Sequence, residues 1–194
     1  MPPRWLDQPE AQRGRAAEIA VANWLKRRGN WVIPSYDYAG LDHDKPPRLE
    51  TATRGLSIPD LDVSKDGARI WVEVKLKAAP TWGRISGKLE HGISARLANH
   101  YTETEKITGC AVWIIVVEES SGEWRAALLS KLRTHERRSF SPRMGGMVFW
   151  LCEDFHRIAW QEVSDEGRRE QRSMEACSSR AGRAAAARGQ GVRR

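Results

Sequence analysis

The sequence predicts an α/β fold in which helices cover a mixed β-sheet, and three observations support that class. A helical pattern leads into a strand, an Asp-Gly turn joins two further strands, and a second helical pattern precedes a continuous apolar strand. The predicted core order is therefore helix, strand, strand, strand, helix, strand. Strands interleaved with helices form sheets covered by helices, and the hairpin makes part of this sheet antiparallel.

The first helix is predicted over residues 8–28, and a strand over residues 31–36 follows it directly. Asp7 and Glu10, three residues apart, form a capping box before a periodic apolar run, and Gly29 suits the end of a helix. The helix therefore carries a start signal and a stop signal of its own.

A hairpin is predicted after a polar loop over residues 37–55, which is rich in Pro and Gly. Its strands cover residues 56–64 and 68–76, and residues 65–67 form the turn. Asp-Gly between two runs of alternating apolar residues is the strongest short-range hairpin signal.

The core is completed by a helix over residues 87–106 and a strand over residues 110–117. The strand is a continuous apolar run, as expected for a strand buried on both faces. The helix is predicted from four residues at helical spacing: Leu89, Ile93, Leu97 and Tyr101.

The rest of the chain gives weaker signals. A mixed segment over residues 124–132, a basic loop over 133–143 and a strand over 147–152 follow the core. The basic loop is either a solvated surface or a contact to a duplex backbone. Residues 164–194 contain no aromatic residue and are rich in arginine. We therefore divide the chain into a domain over residues 1–163 and a basic tail over 164–194, expected to be disordered.

The predicted hairpin gathers charged side chains on one face. A two-residue turn at Asp66 and Gly67 places Asp60 opposite Glu73, and Lys75 follows on the same face because side chains alternate along a strand. Carboxylates that face each other across a ladder repel, and a cation that neutralises them removes this cost. Hard divalent cations such as Mg²⁺ take carboxylate, water and phosphate oxygens. The pattern therefore predicts a magnesium site, and the alternative is an exposed face with an ordinary Glu–Lys pair.

Two alternatives remain open within this face. Asp62 replaces Asp60 if the hairpin register slips by two residues. Lys77 lies on the same face as Lys75 and is a second candidate for contact with a phosphate.

The first helix contributes a further acidic candidate. Val21, Ala22 and Leu25 stand three, four and seven residues after Glu18, so Glu18 lies on the apolar stripe. An acid on a buried face needs a partner, and a metal-bound water or Lys75 would supply one. The alternative is that Glu18 lies at the edge of the stripe and reaches solvent.

The composition favours a nucleic-acid partner. Lys and Arg number 32 against 25 Asp and Glu, which gives a net charge of +7. The sequence has no apolar run long enough for a membrane span, so no membrane partner is expected. Three scattered cysteines without C-x-x-C spacing suit a reducing cytoplasm.

These residues resemble a known family. Ile58-Pro59-Asp60, a gap of twelve residues and then Glu73-Val74-Lys75 resemble the motif of the PD-(D/E)xK nuclease superfamily. The segment Gly14-Arg15-Ala16-Ala17-Glu18 is similar to the G-x-x-A-E-like context of a helix-borne glutamate in its resolvase-like branch. The resemblance covers residues 10–118 and implies the restriction-endonuclease-like mixed sheet, whose core has the order predicted above.

The resemblance also implies roles for individual residues. Asp60 and Glu73 would bind Mg²⁺, which Mn²⁺ could replace, and the carbonyl of Val74 would be a further ligand. Lys75 would act in catalysis, and Glu18 would be an auxiliary ligand through water. The implied function is metal-dependent hydrolysis of phosphodiester bonds in nucleic acid, above all DNA, and a homodimer is compatible with it.

Two other functions compete with an active nuclease. One is a nucleic-acid-binding module on the same fold whose catalysis has lapsed. The other is a basic protein for membrane or ribosomal surfaces, which leaves the acidic set unexplained. Divalent-metal binding distinguishes the basic surface-binding protein from the nuclease and the lapsed module. Cleavage of nucleic acid distinguishes the nuclease from the lapsed module.

Overall fold

The structure is a computed structural model that describes residues 8–35, 48–141 and 145–159. Within these ranges the α-helices are α1 (Pro9–Arg27), α2 (Ala95–Thr108) and the single turn α3 (Leu129–Leu132), and Arg133–His135 and Cys152–Asp154 form short 3-10 helices. The strands are β1 (Trp31–Pro34), β2 (Arg48–Glu50), β3 (Gly55–Ser57), β4 (Leu61–Lys65), β5 (Ala68–Lys77), β6 (Thr81–Gly83), β7 (Lys88–Ser94), β8 (Ala111–Glu118), β9 (Trp124–Leu128), β10 (Arg137–Ser141), β11 (Gly145–Leu151) and β12 (His156–Ala159). The predicted tail over residues 164–194 lies outside the described residues.

The largest sheet in the described ranges has six strands in the order β1-β4-β5-β8-β9-β12. Strands β5 and β8 are parallel, while every other neighbouring pair in this sheet is antiparallel. The mixed sheet and the order α1, β1, β4, β5, α2, β8 confirm the predicted α/β class and core order. A four-stranded sheet, β10-β11-β7-β6, and the hairpin β2-β3 are additions to this core.

The two faces of the large sheet are covered by different helices. Helix α1 places Val21, Ala22 and Leu25 against the sheet, and all three are buried, as predicted. On the other face a single cluster contains Trp71 of β5 together with Tyr101 of α2. Because side chains alternate along β5, residues 73 and 75 share the face of Trp71 that α2 covers.

The start of the second predicted helix is wrong, because residues 88–94 form strand β7. The four-residue spacing of Leu89 and Ile93 resembles a helix, but Leu89 is 46% exposed whereas Ile93 is buried. Gly92 pairs with Phe149 of β11, and a Cβ at Gly92 would lie 2.7 Å from the Phe149 ring. This long-range pairing favours the strand, and the helix begins only at Ala95.

Two predicted loops also contain strands. The described part of the 37–55 loop contributes β2 and the start of β3, whose register pairs Leu49 with Leu56. The predicted basic loop over residues 133–143 contains β10, which pairs with β11. Leu56 of β3 is fully buried, so an apolar contact anchors the β2–β3 hairpin to the core. The polar neighbours of Leu56 in the sequence did not indicate this contact.

The start of α1 differs in detail from the prediction. Gln8, and not Asp7, occupies the N-cap position, and it makes no side-chain capping bond. Pro9 follows at the first helical position, where the missing N–H of proline costs nothing. No helix among the described residues is long and apolar enough to cross a membrane.

Candidate active site

The hairpin that carries the site is built as predicted. Asp66 and Gly67 both have positive φ, 50° and 81°, as the two-residue type I′ turn requires. The β4–β5 register is the predicted one, but its ladder begins at Leu61. Asp60 therefore lies one residue outside the ladder and does not form the predicted ladder pair with Glu73.

Asp60 is held at this position by two backbone hydrogen bonds. Its carbonyl accepts the N–H of Ser35 at 2.8 Å, which ties it to the end of β1. Its carboxylate Oδ2 accepts the N–H of Val74, also at 2.8 Å. The Asp60 carboxylate thus lies against the backbone between Glu73 and Lys75, with one oxygen engaged by β5.

Glu73 is the most deeply buried charged group among the described residues, with no exposed surface. Its carboxylate contacts the ammonium of Lys75, yet neither oxygen has a partner of full hydrogen-bond geometry in the described part of the chain. Burial and the charge of Asp60 raise the pKa of Glu73 to about 8, against the opposing effects of Lys75 and Tyr101. A carboxyl group that is buried beside a second carboxylate and without full hydrogen bonds lacks stabilisation for its charged form.

Lys75 brings the opposite charge to the same place. Its side chain is 27% exposed, so the ammonium reaches both Glu73 and the surface. Burial opposes its charge, but the neighbouring carboxylates of Glu73 and Asp60 outweigh burial and raise the pKa of Lys75. The amino group is therefore a cation beside two acids.

Glu18 lies near this group but has a different immediate partner from the two predicted. Its carboxylate accepts a hydrogen bond from Arg15 at 3.2 Å, one turn earlier on α1, and its side chain is 22% exposed. Burial and the charge of Asp60 raise the pKa of Glu18 to about 7, whereas Arg15 and Lys75 lower it. Glu18 thus interacts electrostatically with Asp60 and Lys75, and its side chain also has access to solvent.

Tyr101 is a neighbour of the site that the sequence identified only through its helical spacing with Leu89, Ile93 and Leu97. It is 3% exposed and comes from α2, which covers the face that Glu73 and Lys75 share. Burial and the charge of Glu73 raise the pKa of the Tyr101 phenol well above its ordinary value. Its position on the apolar stripe of α2 gave no signal that its hydroxyl meets a carboxylate.

The alternative residues on this face have other partners. Asp62 receives a bidentate interaction from Arg69, with distances of 2.9 and 2.7 Å, so no register slip brings it to the site. Lys77 lines a separate cavity of about 390 Å³ together with His91. The backbone N–H of Val74 is engaged by Asp60, and metal ligation by the Val74 carbonyl stays a prediction.

The donor set suits a hard cation with few protein ligands. Among residues 8–35, 48–141 and 145–159, no group of three or more His, Cys, Asp or Glu side chains is arranged to hold a metal ion. The set at the hairpin is two carboxylates, of Asp60 and Glu73, and the oxygens of Glu73 are buried without full hydrogen bonds. Mg²⁺ typically uses one or two carboxylates and completes its shell with water and phosphate, so these residues fit that ion.

The chain is similar to known proteins in its structure and not in its sequence. No protein-family model and no curated protein matches the sequence. Among solved structures, the chain is similar to Hjc, a Holliday junction resolvase from Archaeoglobus fulgidus, with 14% identity, 76% of this chain and 93% of that chain covered, and a TM-score of 0.49. It is also similar to D212, a nuclease from a fusselovirus, with 12% identity, 72% and 79% covered, and a TM-score of 0.39.

The core order of the structure is the one that the sequence motifs predict. The identities and TM-scores of the two solved structures are too low to assign an activity. The functional assignment therefore rests on the residues of this site.

Proposed function

We propose that the chain is a divalent-metal-dependent nuclease that hydrolyses phosphodiester bonds of nucleic acid, most simply DNA. The observation that carries the proposal is the position of Glu73. Its carboxylate is fully buried, it lies beside Asp60, and its described ionic partner is the ammonium of Lys75.

The carboxylates at this site outnumber the cations, so one more cation would stabilise them. An ionised carboxylate in a buried position is costly unless it is paired, and a second carboxylate nearby adds repulsion. Lys75 supplies one positive charge for Glu73 and Asp60, and Glu18 adds a further acid at the margin. A divalent cation held by Asp60 and Glu73 would neutralise the negative charge that Lys75 leaves uncompensated.

Mg²⁺ is the ion that these ligands favour, and Mn²⁺ is the expected substitute. Asp60 and Glu73 would hold the ion through their carboxylates, with the carbonyl of Val74 beside them and Glu18 acting through water. Such an ion would polarise the phosphate and favour ionisation of the attacking water.

The residues of the chain supply the rest of the chemistry. In hydrolysis the water oxygen bonds to phosphorus, the bond from phosphorus to the leaving oxygen breaks, and negative charge builds on the phosphate oxygens. The ammonium of Lys75 would stabilise that charge and orient the water. The N–H of Val74 binds Oδ2 of Asp60, so the other carboxylate oxygen would be available to the ion.

A lapsed nucleic-acid-binding module on the same fold is the second candidate function. It would retain the basic charge of the chain and the fold but would not cut. The presence of Asp60, Glu73 and Lys75 together favours the enzyme, since a lapsed site has no need to retain three charged residues in a buried place.

A cleavage assay separates the two candidates. Purified protein is incubated with linear, circular, single-stranded and branched DNA, with Mg²⁺ or with EDTA. The enzyme predicts Mg²⁺-dependent cleavage of at least one substrate and none by an Asp60→Asn, Glu73→Gln double variant purified in the same way. DNA binding without cleavage of any substrate would favour the lapsed module.

A further inference from the structure

A polar cavity of about 290 Å³ lies between α2, the β2–β3 region and the segment that leads into β10. We call it the α2 basic cavity and define it by its positively charged and imidazole residues. These residues are Arg54, His100, Lys106, Arg133 and Arg138.

The charges that line the α2 basic cavity are only partly neutralised. Arg54 pairs with Glu103 at 3.7 Å, and Arg138 pairs with Glu136 at 2.8 Å. Lys106 and Arg133 have no ion-pair partner among the residues that the structure describes. Two cations at one concavity repel each other, so an anion bound between them is electrostatically favoured.

More arginines surround the same place. Burial and the positive charges of Arg96, Arg54 and Arg48 lower the pKa of His100, which places these side chains close to the imidazole. The His100 ring is fixed because its Nδ1 accepts the N–H of Ser57 at 3.1 Å. The basic surface therefore extends beyond the cavity over β2 and the start of α2.

The α2 basic cavity is adjacent to the candidate active site. Ser57, the partner of His100, precedes Asp60 by three residues, which span at most about 11 Å of extended chain. On α2, His100 is followed by Tyr101, which lies against Glu73. Helix α2 and the short link between β3 and β4 thus connect the cavity to the carboxylates. The link spans about the length of a few nucleotides, each of which advances about 3.4 Å along one nucleic-acid strand.

We propose that the α2 basic cavity binds the phosphate backbone of the nucleic-acid substrate next to the bond that is cut, with Lys106 and Arg133 as phosphate contacts. This inference rests on the proposed function for the identity of the substrate. It gives the added strand β10 a role, since Arg138 is part of this strand. A phosphate polymer fits better than an apolar ligand because the lining is polar and charged.

The test uses the full chain, a fluorescein-labelled DNA duplex and EDTA, so that binding is measured without cleavage. The variant is Lys106→Glu, Arg133→Glu, and fluorescence anisotropy is recorded over about 50 to 200 mM salt. The matched control is Lys26→Glu, Arg84→Glu, which reverses two exposed charges outside the cavity. A milder pair, Lys106→Gln and Arg133→Gln, and thermal unfolding of every variant guard against loss of fold.

The expected result is a Kd at least about tenfold higher for the cavity variant and a salt slope smaller by about 2, one for each lost phosphate contact. The loss is the same for duplexes of different sequence, because phosphate contacts do not read bases. The control variant binds like the wild type. Folded cavity variants that bind with the wild-type Kd and salt slope would overturn the inference.

Failure of the proposed function would look different. In that case no protein, wild type included, cleaves DNA in Mg²⁺, whereas binding in EDTA still depends on Lys106 and Arg133. That outcome would support DNA binding by the α2 basic cavity and would contradict the proposed nuclease activity.

Discussion

The carboxylate of Asp60 accepts a hydrogen bond from the backbone N–H of Val74, with 2.8 Å between Oδ2 and the nitrogen. Asp60 lies just outside the β4–β5 ladder, so this side-chain contact takes the place of a backbone pair. It fixes one carboxylate oxygen and leaves the other for a ligand. The geometry also means that a neutral amide at this position can keep the hydrogen bond while losing the charge.

The first prediction concerns Asp60→Asn. The amide oxygen of Asn still accepts the N–H of Val74, so we expect the fold to persist. The loss of charge should lower Mg²⁺ affinity by at least about tenfold. Isothermal titration calorimetry with Mg²⁺ and Mn²⁺ measures this directly, and raised Mn²⁺ should partly restore cleavage.

Asp62→Asn is the matched control, because Asp62 lies two residues further along and is bound by Arg69. We expect unchanged metal affinity and a loss of at most about 1 kcal/mol in the free energy of unfolding, since Arg69 is half exposed. Loss of metal binding in Asp62→Asn but not in Asp60→Asn would mean that the wrong carboxylate has been assigned.

The second prediction is that Mg²⁺ stabilises the folded chain. At about 100 times its Kd, a ligand bound only to the folded state adds about 2.7 kcal/mol of stability. For a domain of this size, Tm should rise by roughly 5–10 °C. Glu73→Gln should abolish the shift, because it removes a buried carboxylate ligand. Differential scanning calorimetry gives the result without an activity assay, and an equal shift in Glu73→Gln would argue against this site.

The third prediction concerns acid stability at a buried pair outside the candidate active site, His91 and Glu118. His91 Nε2 and Glu118 Oε1 are 2.8 Å apart and both are buried. Burial lowers the pKa of His91, more than Glu118 raises it, and the charges of Lys77 and Arg125 add to the lowering. Burial opposes ionisation of Glu118, but hydrogen bonds from His91 and Ser121 outweigh it and lower its pKa.

Both shifts have the same sign for stability. The unfolded chain binds more protons than the folded chain once pH falls below the ordinary His value of 6.5, and again below the ordinary Glu value of 4.5. Stability is therefore present at neutral pH and is lost on acidification. Urea unfolding at a series of pH values should show a weaker decline between 6.5 and 4.5 for His91→Gln. An unchanged decline would mean that His91 does not titrate in this window.

Short-range rules predicted the part of the molecule that carries the site. The Asp-Gly turn fixed the register of β4 and β5, and that register determines which side chains share a face. The contact of Asp60 with Val74 was not predictable, because it depends on where the ladder ends. The partner of Glu18 was also missed, since Arg15 on the same helix binds it.

Long-range contacts explain the remaining errors. The sequence of β7 resembles a helix because Leu89 and Ile93 have helical spacing. Its pairing with β11 shows why residue 92 is glycine, since a Cβ there would clash with the ring of Phe149. Trp124 has charged neighbours in sequence, Glu123 and Arg125. It is nevertheless only 4% exposed and packs edge-on against Trp24 of α1, with 6.1 Å between ring centroids.

The last prediction compares two lysines on one face of β5. Lys75 contacts Glu73, whereas Lys77 lines the separate cavity with His91. We expect Lys77→Ala to cut DNA like the wild type. Lys75→Ala should cut about 10²–10³-fold more slowly, which is the usual cost of losing one charge-stabilising contact in a transition state.

The rate of Mg²⁺-dependent DNA cleavage by Lys75→Ala, measured beside its metal and DNA binding, tests the central claim most directly. Circular dichroism first establishes that the variant is folded. The account predicts that cleavage slows by about 10²–10³-fold while Mg²⁺ and DNA are still bound, because Asp60 and Glu73 hold the ion and other residues hold the backbone. A folded Lys75→Ala protein that cleaves DNA at the wild-type rate would contradict it.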